Sequence, residues 1–227
     1  MSYLVLVRHG ESEYNARGLW TGLTDIPLNQ KGIEEAKEAG KSLKNIKFDV
    51  AFTSSLLRSQ QTLSEILKAL PRRSSLILRS FSEGGSEGGP NLPIHKSPAL
   101  NERNYGDYTG KNKWEIKEKV GEEEFQKIRR SWDFPIPNGE SLKDVYNRVV
   151  PYFEQNILPH LKQHKNVLIT AHGNSLRALI KHLENIPDDA VSHLEIGTGE
   201  VYVYKTDENG KITSKETRST NPLRGKQ

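Results

Sequence analysis

Leu4-Val5-Leu6-Val7-Arg8-His9-Gly10-Glu11-Ser12 opens the chain with an apolar run that stops at an arginine, a histidine and a glycine. With Tyr3 before it, the run Tyr3 to Val7 reads as a buried strand, and the glycine lets the chain turn sharply out of a sheet. The pattern returns near the other end. Asn166 to Thr170 is a second such strand, and it runs into Ala171-His172-Gly173-Asn174-Ser175. Both turns therefore read His-Gly-x-Ser, and each is followed by a segment with helical potential.

Between these two strands the chain alternates. Asn29 is a plausible N-cap for a helix on which Ile33, Ala36, Gly40 and Leu43 share one face. Val50 to Thr53 reads as a strand. Ser54 or Ser55 is placed to cap a helix carrying Leu56, Leu63, Ile66, Leu67 and Leu70, and Leu76 to Leu78 is a candidate third strand. Helical periodicity resumes over Lys113 to Ser131 and from Ser141 to about Lys162, separated by Pro135, Pro137 and Gly139. Leu176, Leu179, Ile180 and Leu183 continue the helix behind the second turn. Ser192 to Ile196, Val201 to Tyr204 and Lys211 to Thr217 suit an antiparallel edge. The expected architecture is α/β, a three-layer α/β/α sandwich on a mostly parallel central sheet, built as one domain over 1–227. A Gly/Ser/Pro-rich stretch at about 80–98 is expected to be a mobile surface loop, and 211–227 a basic tail.

Composition removes several chemistries. The 227 residues include no cysteine, so disulfides, thiolate metal sites and thiol nucleophiles are excluded. No apolar run approaches the roughly 20 residues of a spanning helix, there is no basic, apolar leader, and there is no Asn-x-Ser/Thr sequon, all of which fit a cytoplasmic protein outside the membrane. The net charge of +4 suits nucleic acid, an anionic surface or a small anionic substrate. With no zinc finger, heptad or aromatic-studded basic stripe, nucleic acid is not expected as a partner, and the small anion is. The glycines near 84–89 lack the spacing of a phosphate-binding loop.

In open α/β sheets the working groups collect where strands end at the carboxyl edge, and both histidines stand one step past such an end. Gly10 and Gly173 can let a ligand approach the backbone, with Ser12 and Asn174 beside it and helix N–H groups facing an anion. Arg8 adjoins His9, and Arg58 follows the strand Val50 to Thr53; guanidinium forks fit phosphoryl oxygens. Two such cations also depress the imidazole pKa and leave a ring nitrogen free to attack phosphorus. They would repel a metal, and no HExxH or carboxylate cluster completes one, so no metal is expected. Glu102, in Asn101-Glu102-Arg103-Asn104-Tyr105-Gly106, reads equally as a proton-transfer group or as a surface carboxylate paired with Arg103.

At Leu6-Val7-Arg8-His9-Gly10-Glu11-Ser12, with His172 downstream, the chain resembles the histidine phosphatase superfamily. Glu13 to Asn15, Trp20-Thr21-Gly22 with Asp25, Leu100 to Gly106, Lys113, Arg129-Arg130 and Ala171 to Leu179 are more narrowly similar to the cofactor-dependent phosphoglycerate mutases. The resemblance implies that fold and a cytoplasmic role in glycolysis and gluconeogenesis. It also implies interconversion of 3-phosphoglycerate and 2-phosphoglycerate, primed by 2,3-bisphosphoglycerate without a metal. On that basis His9 takes the phosphoryl group, Arg8, Arg58 and His172 hold its oxygens, Asn15 adds an amide, and Glu102 moves protons. Thr21, Gly22, Tyr105, Lys113, Arg129, Arg130 and Asn174 grip the rest of the substrate. The stretch 80–98 is longer, and the link Ser131 to Glu140 shorter, than in many such mutases. The short link leaves a homo-oligomer open, and it also resembles the broader phosphatases, which makes a phosphomonoester hydrolase the first alternative. A catalytically silent phosphate-binding module is the other, though it has no need of His9, His172 and Glu102 together.

Overall fold

The computed structural model describes residues 1–71 and 92–218. Among these residues six strands form one sheet in the order β3-β2-β4-β1-β5-β6, where β1 is Ser2–Arg8, β2 Val50–Ser54, β3 Ile94–Ser97, β4 Val167–Ala171, β5 Val201–Thr206 and β6 Ile212–Arg218. The four strands β3, β2, β4 and β1 run parallel, and β5 and β6 close one side antiparallel. The sheet is thus mostly parallel, as expected.

Helices cover both faces, which is why the inner strands are apolar along their whole length. On one face α2 (Gln30–Ser42) and α3 (Leu57–Ala69) pack Ala39, Leu43, Leu63, Ile66 and Leu67 against Val5, Val7, Ala51 and Leu168. On the other, α5 (Leu142–Tyr152), α6 (Leu158–Lys162) and α7 (Gly173–Leu183) pack Leu142, Val149, Leu161, Leu176 and Leu179 against Leu4, Leu6, Phe52 and Ile169. Leu179 is fully buried; truncating such a side chain to alanine costs about 2–5 kcal/mol. A third cluster, Trp20, Ile116, Phe125, Ile128 and Ile136, holds α4 (Lys113–Arg130) beside the carboxyl edge of the sheet.

Helix starts follow their caps. Asn29 Oδ1 accepts from the Gly32 N–H at 2.8 Å, and Ser141 and Asp144 form a reciprocal capping box. The start of α3 differs from expectation. Its cap is Leu56, with no side-chain bond, because the Ser54 hydroxyl is turned toward His172 and Ser55 bonds Asn101. The run expected as one helix to Lys162 is broken after Pro151 by a π-helical stretch, Phe153–Ile157.

At the edges of the sheet three expectations change: the far end of the loop, the start of the tail and the segment Ser192 to Ile196. Leu76 to Leu78 and the first part of the loop placed at 80–98 lie outside the described residues, but Ile94–Ser97 is a strand paired with β2, so that loop ends before 94. Two of the four residues of β3 are exposed, so hydrogen bonds to β2 define it where no apolar pattern does. Of the two readings of Lys211 onward the antiparallel edge holds: Ile212–Arg218 is β6, paired with β5 and with mostly exposed side chains, so the basic tail begins later than 211, and 219–227 is outside the described residues. Ser192 to Ile196 is not a strand: a short 3-10 turn, Ala190–His193, leads into a loop crossing the carboxyl edge to β5.

Candidate active site

Arg8 stands opposite Ala171 in the β1–β4 register, so the two His-Gly turns leave the sheet side by side. The His9 N–H donates to the Ala171 carbonyl at 2.9 Å, and the rings of His9 and His172 lie 4.9 Å apart, centroid to centroid. Both are buried. Close approach of α2 fixes the first turn: a Cβ on Gly10 would come within 2.2 Å of the Gly32 carbonyl oxygen. The Gly10 N–H donates to Thr62 of α3.

A carbonyl only accepts, so the 2.7 Å contact between His9 Nδ1 and the Gly10 oxygen places the ring proton on Nδ1. The lone pair of the neutral ring is then on Nε2. Burial, then the charges of Arg58 and Arg8, hold the His9 pKa well below its usual value. His172 is depressed in the same way, by burial first and Arg58 next. Its Nε2 meets the Ser54 hydroxyl at 2.7 Å, and its buried Nδ1 has no protein partner.

Arg58 is fully buried, with Nη1 and Nη2 donating to the Thr24 and Gly22 carbonyls at 2.9 Å. Burial lowers its pKa to about 10, so it stays a cation at neutral pH. Arg8 Nη1 donates to the Ile196 carbonyl. The Nε atoms of Arg8 and Arg58, Thr21 Oγ1 and His172 Nδ1 are all buried without a partner. Such groups cost about 1–3 kcal/mol each when unpaired; gathered with two guanidinium charges, they fit an anion rich in oxygen acceptors.

Glu102 is 7% exposed and follows the short turn Pro98–Leu100. Its Oε1 accepts from the Arg103 N–H at 2.8 Å, the Asn174 N–H at 3.1 Å and Asn174 Nδ2 at 3.0 Å. Burial works to raise its pKa, but those donors with Arg8 and Arg58 outweigh it, so the carboxyl is held ionised. The carrier segment is itself clamped. Arg148 of α5 donates to the carbonyls of Ala99, Asn101 and Glu102 at 2.8, 3.0 and 3.0 Å, and forks onto Glu140 at 2.8 and 3.0 Å. Glu140 also accepts from the Asn104 N–H.

Two adjoining cavities result. The inner one, about 60 Å³, is lined by His9, Arg58, Asn15 and Thr21, together with Arg8, Glu102, Tyr105 and Lys113. The last four also line the outer one, about 320 Å³, with Arg129, Arg130, Gly173, Asn174 and Arg177. Lys113 is half-buried, and desolvation, then the charges of Arg129 and Arg8, lower its pKa to about 8. A larger hollow beside Trp132 and Asp188 has no part in this arrangement.

Thirteen of the fifteen expected site residues, all but Ser12 and Gly22, thus meet at these cavities: twelve line them, and His172 stands against His9. Ser12 and Gly22 line neither. The Ser12 hydroxyl caps α1 (Glu13–Ala16) and bonds Asn15 Oδ1 at 2.8 Å, which leaves the Asn15 Nδ2 group to donate elsewhere. The Gly22 carbonyl holds Arg58. Not foreseen were Ser54, Arg148, Arg177 and the loop residues Glu195 to Thr198. Arg177 alone left a signal, one helical turn beyond Gly173 on α7.

His9, Glu102 and His172 offer ligand atoms within 4.8 Å of one another, a spacing that also suits a cation. Arg8 and Arg58 beside them favour an anion instead, and one Glu102 oxygen is already taken by three donors.

The sequence matches the histidine phosphatase superfamily (branch 1) over residues 4–217. A phosphoglycerate mutase of Schizosaccharomyces pombe is 47% identical over 215 residues, covering 94% of each chain. A 2,3-bisphosphoglycerate-dependent phosphoglycerate mutase of Parvibaculum lavamentivorans is 45% identical, with 94% of each chain covered. Among solved structures, the alpha-ribazole phosphatase of Shigella flexneri superposes with a TM-score of 0.71 at 26% identity over 93% of each chain. Matched from within β1 to within β6, and closely similar to proteins of one name along nearly its full length, the chain belongs to branch 1 of the histidine phosphatase superfamily and, within it, to the phosphoglycerate mutase family.

Proposed function

We propose that the chain interconverts 3-phosphoglycerate and 2-phosphoglycerate through phospho-His9, as a 2,3-bisphosphoglycerate-dependent mutase. The observation that carries this is the inner cavity: a neutral imidazole with Nε2 free, the guanidinium groups of Arg8 and Arg58 and an ionised Glu102 line one anion-sized space, with the His172 ring against that of His9. The outer cavity adds Lys113, Arg129, Arg130 and Asn174 for the second anionic end of a small ligand.

Bound 2,3-bisphosphoglycerate supplies the first phosphoryl group. His9 Nε2 would attack its phosphorus, the P–O bond breaking as the N–P bond forms, and the leaving oxygen would receive a proton through Glu102, which is ionised in the empty site and takes that proton from solvent as the polyanion enters. In the next half-cycle Glu102, now a carboxylate, takes the proton of the incoming monophosphate's hydroxyl. That oxygen attacks phospho-His9 and the N–P bond breaks, restoring a bisphosphate. Repeating the first step on the other phosphate yields the isomer. Arg8, Arg58 and His172 lie where they can stabilise charge on the moving phosphoryl oxygens, already aimed before the charge redistributes. A cytoplasmic location fits this reading, and no helix among the described residues is long and apolar enough to cross a membrane.

A coupled assay with 3-phosphoglycerate, with and without 2,3-bisphosphoglycerate, tests the proposal. Primer-dependent isomerisation that His9→Ala abolishes, together with acid-labile labelling of the wild-type enzyme alone, is expected. Release of inorganic phosphate at a comparable rate would instead favour a phosphomonoester hydrolase, and undiminished turnover in His9→Ala would remove the nucleophile.

A further inference from the structure

Two carboxylates line cavities that are otherwise cationic or neutral. Glu102 has a task in the reaction; Glu195 has none. Glu195 is ion-paired with Arg130, one of the cations expected to grip the substrate. Both ends of the pair are anchored. The loop carrying Glu195 is tied to the first turn, since Arg8 Nη1 donates to the Ile196 carbonyl and the Gly199 N–H donates to the Arg8 carbonyl at 3.2 Å. The Arg130 carbonyl accepts from Arg177 Nη2 at 3.0 Å. The pair therefore spans the rim of the outer cavity between α4 and the loop that leads to β5.

We propose that Glu195 is a specificity-determining residue, an internal competitor at Arg130 that weakens the hold of the site on its most highly charged ligand, the bisphosphate, more than on either monophosphate. The inference rests on the reading of the cleft as a phosphoglycerate site. A ligand group that reaches Arg130 must displace the Glu195 carboxylate. Once inside, each of its charges is repelled by that carboxylate in proportion to its size, so a second phosphate feels more of the opposition than a hydroxyl does. The site then holds the bisphosphate long enough for reorientation yet exchanges it with solvent primer.

The test compares Glu195→Gln and Glu195→Ala with the parent in two formats. In a His9→Asn background, which blocks phosphoryl transfer, calorimetric titration gives affinities for 2,3-bisphosphoglycerate and for 3-phosphoglycerate. In the active enzyme, the coupled assay gives the half-saturating primer concentration and the KM for 3-phosphoglycerate. Removal of the charge should tighten bisphosphate binding by roughly two- to fivefold, the worth of one exposed ion pair, and lower the primer requirement, with a smaller change for the monophosphate. Equal tightening of both ligands, no change, or weaker binding would overturn the proposal, the last because Glu195 would then be orienting Arg130 for its ligand. If the parent shows no primer-dependent isomerisation, the functional reading fails by itself, and the titrations still report on Glu195.

Discussion

Neutrality of the two buried imidazoles is a stability statement as well as a catalytic one. In the unfolded chain each ring titrates near 6.5; in the folded protein burial and the charges of Arg58 and Arg8 hold both well below that. The unfolded state therefore binds more protons as pH falls through 6.5, and stability present above that pH is lost below it. Between pH 7 and pH 5 an unfolded ring gains most of a proton, about 2 kcal/mol, so two rings that stay neutral when folded give a loss of roughly 4 kcal/mol. The measurement is urea denaturation of the wild type and of a His9→Asn/His172→Asn double variant across that range, in buffers free of phosphate and sulfate. Other acid-sensitive groups, His160 among them, are common to both proteins and cancel in the difference. The wild-type curve should fall more steeply by about that amount. Inorganic phosphate should shrink the gap, because an anion among these groups favours the charged ring. Parallel curves would show that the imidazoles accept protons in the folded state, and the argument for a free Nε2 at neutral pH would fail with them.

Further expectations concern the surroundings of the two rings. Lys113, with a pKa lowered to about 8, should lose its charge above that pH, so the KM for 3-phosphoglycerate rises there with kcat less affected; Lys113→Arg should keep KM flat to higher pH. Arg148→Lys cannot reproduce the fork onto Glu140 and three carbonyls, so kcat should fall by roughly tenfold or more, with KM within about twofold and the melting temperature little changed. Unaltered kcat would deny the clamp any part in placing Glu102. Gly10→Ala places a methyl 2.2 Å from the Gly32 oxygen and should cost about 1–3 kcal/mol in denaturant titrations, with wild-type stability as the contrary result.

Legibility in the sequence tracked burial. Leu4 to Val7, Val50 to Thr53 and Val167 to Thr170 are enclosed by helices on both sides, so their apolar runs announce strands. β3 sits at the edge with half its residues in water, and what defines it, hydrogen bonds to β2, leaves no trace in residue type; β6 is as exposed, and only the turn before it marked Lys211 to Thr217 as the second arm of a hairpin. The site divides in a similar way. His9 and His172 were legible because one local device, a strand ending in His-Gly, occurs twice. Spacing alone left Glu102 undecided between a proton carrier and a surface carboxylate, since its burial depends on Asn174 and Arg148, which only the fold brings near. Ser54 or Ser55 was read as a helix cap because sequence does not tell that β2 lies beside β4, which brings the Ser54 hydroxyl to His172. Gly22 and Ser12 line neither cavity but touch residues that do, one accepting from Arg58 with its carbonyl and the other bonding the Asn15 amide oxygen.

The strand order has a temporal side. β4 lies between β1 and β2, so the two earliest strands have no contact across the gap until a segment more than 110 residues beyond β2 has been made. During synthesis the amino-terminal half carries an open seam down its middle, its Leu and Val side chains uncovered and its strand edges unpaired, a condition that invites chaperones and aggregation. Ligand affinity is expected to follow the insertion of that central strand, because the same event that seals the seam brings the second imidazole to the first. No truncated chain ending before residue 171 should therefore hold phosphate, however well its helices form.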